Sequence, residues 1–527
     1  MSVVAQAGVM RLEDCAALVD GSRIEGGGAE TIVRGLAYDS RRVASGDLFF
    51  AVPGFKNDGA AYVVDAVGSG AVAVVAEGPV ATPVPLLRVP RVREAMGHIA
   101  ARFFSNPSAE MLGVGVTGTN GKTTTASLLA SVLSAAGRPA GLVGTISYRV
   151  GARTVKAPRT TPEAIDLQRM LREMVDAGNR SFVMEVSSHA IALERAMGLS
   201  LGAMVFTNLT RDHLDFHGTM EAYYETKRRF FRRDDLAALA SRVGAAVINI
   251  DDPYGERLAR ETDLPLTTFG RRADAAVRIE ALEESLHGSR LRFETPRGAL
   301  EIRLPLPGRF HQMNALAAVA AAAALDLPYD AVVRALETIP AVPGRFQLID
   351  NGLGFAVVVD YAHSPDGIAS LLAAVRPLTK GRIITLFGCG GDRDRGKRPL
   401  MGEAAGRGSD FVVLTSDNPR SEDPQAIIAD AESGLRATGT PYRVCADRRD
   451  AIALALDEAR PGDAVIIAGK GHEDYQEIGG VRLPFQDEKV VQELIDERGR
   501  AEGKAPRNTS DGAKQNRPGT ARDEQRG

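Results

Sequence analysis

Short apolar runs alternate with helix-patterned stretches along most of this chain, which predicts an α/β protein built on mainly parallel sheets. Between Thr31 and about Ser105, the strand-like runs 47–52 and 71–76 alternate with glycine turns and helical segments, and Asn106 with Pro107 closes the unit. A second set of strands is expected at 111–116, 182–186, 203–206 and 245–250. The segment TIPAVPG, 338–344, carries two prolines and a glycine and reads as a hinge. Beyond it, strands at 355–359, 382–387, 411–415 and 464–467 separated by helices predict a second doubly wound sheet. The expected division is residues 1–108, 109–341 and 342–499, followed by a polar tail over 500–527 that is expected to be disordered.

Length and composition fit this division. A chain of 527 residues has room for about three or four domains, and 44% apolar residues suffice for several cores. A net charge of −3 with interspersed signs demands neither a nucleic acid nor a membrane. Cys15, Cys389 and Cys445 are isolated, which argues against a zinc module or disulfide framework and points to a reducing, cytoplasmic setting. The alanine-rich run 315–325 is too short to cross a bilayer and reads as a buried helix.

The segment TGTNGKTTT, 117–125, follows an apolar strand and precedes a helix-like run, the arrangement of a phosphate-binding loop. Its N–H groups and the helix N-terminus favour an anion, Lys122 adds a point charge, and Thr123 is placed to hold Mg²⁺. The common GxxxxGK[ST] spacing requires glycine at Val116, whereas the first loop glycine here is Gly118. The alternative is an ordinary glycine turn.

Downstream, Glu185 in FVMEVSSHA stands just past a strand, where parallel sheets present ligands, and supplies the hard oxygen that magnesium prefers. Read blandly, it is a surface glutamate. The next strand runs into Thr210, Arg211, Asp212, His213, Leu214, Asp215, Phe216 and His217. His213 is a candidate ligand for a second metal, Asp212 orients it or helps to bind nucleotide, and His217 stays ambiguous. Lys227, in YYETKRRFF, reads from its residues alone as solvated or paired with Glu225.

Together TGTNGKTTT, EVSSHA, NLTRDHLDFH and the YxxTK segment resemble the Mur ligases, and the related folylpolyglutamate synthases share part of the pattern. The resemblance continues through LPLPGRFHQMNALAA, VPGRFQ, VDYAHSPD, GCGGDRDRGKRP, DNPR and GKGHEDYQ. It implies an N-terminal domain that binds a uridine nucleotide, a central P-loop ATPase-like domain and a C-terminal Rossmann-like domain that binds an amino acid. By it, Gly118, Thr119, Asn120, Gly121, Lys122, Thr123 and Thr124 hold ATP, with Asn314 as the adenine contact and Arg345 and Asp360 as further contacts. Lys227 corresponds to a carbamylated lysine which, with Thr123, Glu185 and His213, holds Mg²⁺.

The resemblance further assigns Tyr38, Ser40, Phe55, Lys56 and Asn57 to the uridine nucleotide, and Thr160, Thr161, Ser187 and Arg195 to its muramoyl-peptide part. Arg159 stands where some relatives carry asparagine, and Leu193 where some carry glutamine. Arg393, Asp417, Asn418, Pro419, Arg420, Gly469 and Glu473 match amino-acid-binding positions, and DNPR marks the diaminopimelate-adding members. The implied reaction joins meso-2,6-diaminopimelate to the D-glutamate of UDP-N-acetylmuramoyl-L-alanyl-D-glutamate through an acyl phosphate, by a cytoplasmic monomer serving peptidoglycan synthesis, cell shape and division. A lysine-adding ligase, a folate-type ligase and a non-catalytic nucleotide switch are the alternatives.

Overall fold

Leu112–Thr117 is an apolar run whose residues from Gly113 onward are buried, as a strand covered on both faces must be. The computed structural model describes residues 8–54, 58–239 and 241–501, which form two compact units. The larger unit runs to Phe346 and adds residues 364–378 and 393–397; the smaller contains most of the remainder. Phe55, Lys56 and Asn57 lie outside the described residues, as does the expected tail beyond Ala501.

In the larger unit an 11-stranded sheet has a parallel centre. Its spatial order there is Ala140–Val143, Ser181–Glu185, Leu112–Thr117, Ser200–Phe206, Arg242–Asn249, Leu266–Gly270 and Val277–Ser285. Connections from the Leu112–Thr117 strand go first to one side and then to the other. Such a reversal opens a crevice at the carboxyl ends of the strands. The glycine loop, Glu185 and the segment after Phe206 all leave the sheet at that edge.

Helices Lys122–Ala135 and Arg309–Ala324 cover one face, burying Leu128, Val132, Leu316 and Val319 against Val114, Val116 and Val205. Small alanines from Ala315 to Ala322 let the second helix sit close to its neighbours, and all of that stretch is buried, as the sequence predicts. The meander Val277–Ser285, Gly288–Thr295 and Gly298–Leu304 extends one edge of the sheet antiparallel, an addition the sequence reading does not contain.

A separate five-stranded sheet near the N-terminus is ordered Arg23–Glu25, Leu86–Arg88, Ala73–Ala76, Asp47–Phe50 and Gly35–Ala37. Helix Val92–Phe103 packs there, and its core continues into Ala164 and Ile165 of helix Ala164–Asp176. In the smaller unit, Gln347–Ile349, Ala356–Asp360, Ala464–Ala468, Ile383–Cys389, Phe411–Ser416 and Tyr442–Val444 form a six-stranded sheet, antiparallel only at its first strand. Among the described residues, no helix is long and apolar enough to cross a membrane.

Candidate active site

Gly118 sits at φ +147°, which favours glycine, and a side chain there would also collide with Thr207, whose Oγ1 would lie 1.9 Å from the added carbon. Gly121, at φ +86°, caps helix Lys122–Ala135, and a side-chain carbon there would lie 2.4 Å from Asn314 Oδ1. The loop is therefore wrapped around the neighbouring strand end. Thr119 N donates to Asn208 O at 2.9 Å, Asn120 N to Asn208 Oδ1 at 2.9 Å, and Thr207 Oγ1 to Asn120 O at 2.6 Å. Two loop N–H groups are thus occupied within the protein, and the amides of Lys122, Thr123 and Thr124, in the first helical turn, carry the anion-binding potential.

Thr123 Oγ1 donates to Glu185 Oε2 at 3.0 Å. Thr145 N reaches the other carboxylate oxygen at 2.7 Å, and Thr145 Oγ1 donates to Oε2 at 3.0 Å. Glu185 is 1% exposed, so it is no surface residue. Its carboxylate and the Thr123 hydroxyl are hard oxygen donors of the kind magnesium takes beside phosphate and water, and they fit that ion. Among the described residues no three His, Cys, Asp or Glu side chains gather at metal-binding spacing.

Lys227 departs from both bland readings. It lies buried at the end of helix Met220–Arg228, donating to Thr117 Oγ1 at 3.1 Å and Gly118 O at 3.0 Å, while Glu225 pairs with Arg228. Burial, reinforced by Lys122, drives its amine well below the usual lysine range. Lys122 donates to Gly118 O at 3.0 Å and Thr119 O at 2.8 Å.

His213 has a left-handed backbone, φ +55°, and its Nε2 lies 3.4 Å from Asp212 Oδ2, consistent with an orienting aspartate. His217 bonds Ser188 Oγ at 2.9 Å and stacks on Tyr223, whose hydroxyl meets Thr119 Oγ1 at 3.3 Å. Burial lowers His217 to about 4, which makes it a neutral packing group at ordinary pH. Arg345 Nη2 donates to Thr123 Oγ1 at 3.3 Å, and Asn314 Oδ1 accepts from Thr125 at 3.3 Å, so both border the loop.

Thr161 Oγ1 donates to Glu185 O at 2.8 Å, Thr160 Oγ1 is 3.1 Å from Thr145 Oγ1, and Ser187 Oγ caps the next helix at Ala190 N. Tyr38 donates to Asp166 Oδ2 at 2.5 Å from the N-terminal sheet, and Ser40 opens the short turn Ser40–Arg42 beside it.

In the smaller unit Asp360 ends its strand and accepts from Ala362 N at 2.7 Å. Asp417, Asn418, Pro419 and Arg420 follow strand Phe411–Ser416 at its carboxyl edge, and Gly469 follows Ala464–Ala468. Asn418 Nδ2 donates to Glu473 Oε2 at 2.8 Å, and Lys470 Nζ bridges Asn418 Oδ1 and Glu473 at 3.2 and 3.0 Å. Arg393, which belongs to the larger unit, sits in the loop before helix Lys397–Gly408. Cys389 is buried, with its Sγ 3.7 Å from Met401 Sδ, a packed residue as expected. Lys470, Thr145, Tyr223 and Glu163 are absent from the sequence-based site; Lys470 in GKGHEDYQ, Tyr223 in YYETKRRFF and Glu163 in RTTPE stood inside motifs that could have flagged them, and Thr145 did not.

Comparison with known proteins gives three family models along the chain. They are the Mur ligase family catalytic domain over residues 32–104, the Mur ligase middle domain over 116–322, and the Mur ligase glutamate ligase domain over 344–471. The chain belongs to the Mur ligase family. Similar Mur ligases include the UDP-N-acetylmuramoyl-L-alanyl-D-glutamate--2,6-diaminopimelate ligases of Geobacter metallireducens and Solibacter usitatus. The first is 47% identical over 92% of this chain and 98% of the relative; the second is 46% identical over 89% and 94%. A solved structure of a Mur ligase with the same name is 34% identical, with TM-score 0.66, over 93% of this chain and 99% of that one. The MurF ligase of Thermotoga maritima in complex with ADP, 19% identical over 89% and 99% with TM-score 0.61, shares the fold.

Proposed function

We propose that this chain is an ATP-dependent amide ligase of peptidoglycan precursor synthesis. It joins meso-2,6-diaminopimelate to the D-glutamate of UDP-N-acetylmuramoyl-L-alanyl-D-glutamate. The observation that carries the assignment is likeness along nearly the whole chain, at 47% identity, to a relative named for that reaction.

The D-glutamate γ-carboxylate attacks the γ-phosphorus of ATP, and the bond to the ADP oxygen breaks, giving an acyl phosphate and ADP. The diaminopimelate amine then adds to the acyl carbon, loses a proton, and phosphate leaves. The first step is needed because a carboxylate is unreactive toward amines. Lys122 faces the charge that develops on the transferring phosphoryl group, and Arg345 beside Thr123 adds a second cation. Thr123 and Glu185, with His213, would hold magnesium, which would supply charge neutralisation at the phosphates. Lys227, kept as a neutral amine by burial, can add carbon dioxide with loss of a proton to become a carbamate, converting a donor into an oxygen ligand. Asn418, Arg420, Lys470 and Glu473 form the amino-acid pocket, and Arg420 is suited to pair bidentately with the far carboxylate that distinguishes diaminopimelate from lysine. ATP, a uridine nucleotide and three free cysteines support a cytoplasmic site.

The test follows phosphate release with Mg-ATP, the UDP-muramoyl dipeptide, and either meso-diaminopimelate or L-lysine. Turnover should require both partners and favour diaminopimelate. ATP hydrolysis that ignores both would leave a nucleotide switch as the reading.

A further inference from the structure

Asp252 divides its two carboxylate oxygens between two duties. As the N-cap of helix Pro253–Glu261 it accepts at Oδ1 from Tyr254 N and Gly255 N, both at 3.0 Å. Oδ2 instead accepts from Leu209 N at 3.0 Å, in the segment that leaves strand Ser200–Phe206 at its carboxyl end. A helix cap needs only the first of these. Asn249, which ends the neighbouring strand, reaches the same segment, with its Nδ2 donating to Thr207 O at 2.7 Å. Asp252 is 9% exposed and Asn249 8%, so both links are shielded from water. Gly255 permits the close turn, since a side-chain carbon there would lie 1.9 Å from Asn249 O.

Strand Ser200–Phe206 lies between Leu112–Thr117 and Arg242–Asn249, so residues 207–210 stand with the phosphate loop on one side and with Asn249 and Asp252 on the other. Toward the loop, Thr210 N donates to Thr119 Oγ1 at 3.0 Å, beside the bonds that Asn208 accepts from the amides of Thr119 and Asn120. The loop is therefore placed by residues 207–210, and His213 follows three residues later. In phosphoryl transfer the protein contributes mainly position and charge, so a loop held about 1 Å off can cost about 100-fold in rate.

We infer that Asp252, seconded by Asn249, is a positioning residue for phosphoryl transfer. Acting through Leu209 N, it fixes residues 207–210 and so sets where the phosphate loop and His213 stand. Asn249 and Asp252 lie outside every motif that carries the resemblance and outside the sequence-based site. The inference rests on the ATP-dependent ligase reading above.

Asp252→Asn separates the two duties by one atom. Its oxygen keeps the helix cap, because asparagine caps as well as aspartate, while its NH₂ faces Leu209 N and leaves that buried N–H without an acceptor. Asp252→Ser, which caps through its hydroxyl and is too short to span to Leu209, is the second variant should Asp252→Asn fold poorly. Leu258→Ala, in the core beneath the same helix, is the control for destabilisation alone. Steady-state kinetics well below every melting temperature should show kcat lower by about 10- to 100-fold in both Asp252 variants, with KM for the UDP-muramoyl dipeptide and diaminopimelate unchanged. Their Kd for Mg-ADP, measured by calorimetry, should rise by about tenfold. Leu258→Ala should melt below the wild type and keep its kcat and Mg-ADP affinity. Asp252→Asn with wild-type kcat and Mg-ADP affinity would overturn the inference, as would equal losses in Leu258→Ala, which would reduce Asp252 to a helix cap. A wild type that turned over no ATP with both substrates present would instead overturn the ligase reading, and Mg-ADP affinity across the same variants would still judge Asp252.

Discussion

Lys122 and Lys227 share one acceptor: each amine lies 3.0 Å from the carbonyl oxygen of Gly118. Two charged ammonium groups at one carbonyl repel; burial lowers both amines, but Glu185 and Asp212 oppose the shift at Lys122, whereas burial and Lys122 itself push Lys227 well below the usual lysine range. The unfolded chain holds that proton up to the ordinary value of 10.5, whereas the folded chain releases it at lower pH. Below 10.5 the unfolded state therefore binds more protons, and stability rises with pH through that window. Lys227→Met should raise the melting temperature in carbon-dioxide-depleted buffer, most at low pH, with the gain fading as pH approaches 10.5. The same variant should lose activity by about 100-fold or more. A gain independent of pH would show that Lys227 is not held neutral.

Glu185 joins the loop to the neighbouring strand through Thr123 and to Thr145 through both of its oxygens. Glu185→Gln keeps the shape and removes the charge. The expected outcome is a raised magnesium requirement and a kcat lower by about 100-fold, equivalent to roughly 3 kcal/mol, with little change in melting temperature. Titrating magnesium against initial rate checks it; an unchanged magnesium dependence would remove Glu185 from the metal site.

The sequence made the carboxyl edge of the central sheet legible because a strand, a glycine loop and a helix are contiguous there. Gly118 to Thr124 and Glu185 could be placed from order alone. Lys227 could not, since its residues alone read as a solvated lysine or one paired with Glu225, and only the folded chain shows its amine turned beneath the loop. The gathering of three arginines on buried Glu163, with Arg159 Nη1 at 2.7 Å, Arg195 Nε at 2.9 Å and Arg93 Nη1 at 3.2 Å, was invisible for a different reason. Arg93, Arg159 and Arg195 share no periodicity, and packing of helix Val92–Phe103 near helix Ala164–Asp176 brings the first beside the others. The edge meander was missed because VRIEALEES alternates weakly and carries four charges, which reads as polar surface.

Arg448 and Asp487 form a doubly hydrogen-bonded ion pair at 2.8 Å with both side chains fully buried. Arg448 also donates to Ser416 O and Ala468 O, the residues just before Asp417 and Gly469. Asp487→Asn leaves the guanidinium without its counter-charge and should cost about 3–5 kcal/mol in unfolding of the smaller unit. Because the pair anchors both acceptor-pocket strands, KM for diaminopimelate should rise while KM for the uridine nucleotide holds. Denaturant titration monitored by hydrogen exchange in the smaller unit separates its unfolding from that of the larger one. Loss below about 1 kcal/mol would mean that the packing around Arg448 accommodates the uncompensated charge.

Arg420 sits at φ +53°, a left-handed conformation uncommon for arginine, and its backbone is bonded on both sides. Its N–H donates to Glu477 O at 2.9 Å, its carbonyl accepts from Gly479 N at 2.7 Å, and its Nη1 donates to Gly391 O at 2.5 Å. The hairpin Tyr475–Ile478 with Val481–Pro484 thereby fixes where the guanidinium starts and how it turns. Arg420→Lys keeps the charge but loses the planar fork, so KM for meso-diaminopimelate should rise by about 10- to 100-fold with KM for ATP unchanged. Arg420→Ala should fall further and narrow the preference over L-lysine, because the uncompensated guanidinium that penalises lysine is gone. Competition between the two amino acids in one reaction, read by product mass, measures that preference. If Arg420→Ala kept it, selection would have to come from elsewhere in the pocket, and Lys470 with Glu473 would be the next pair to alter.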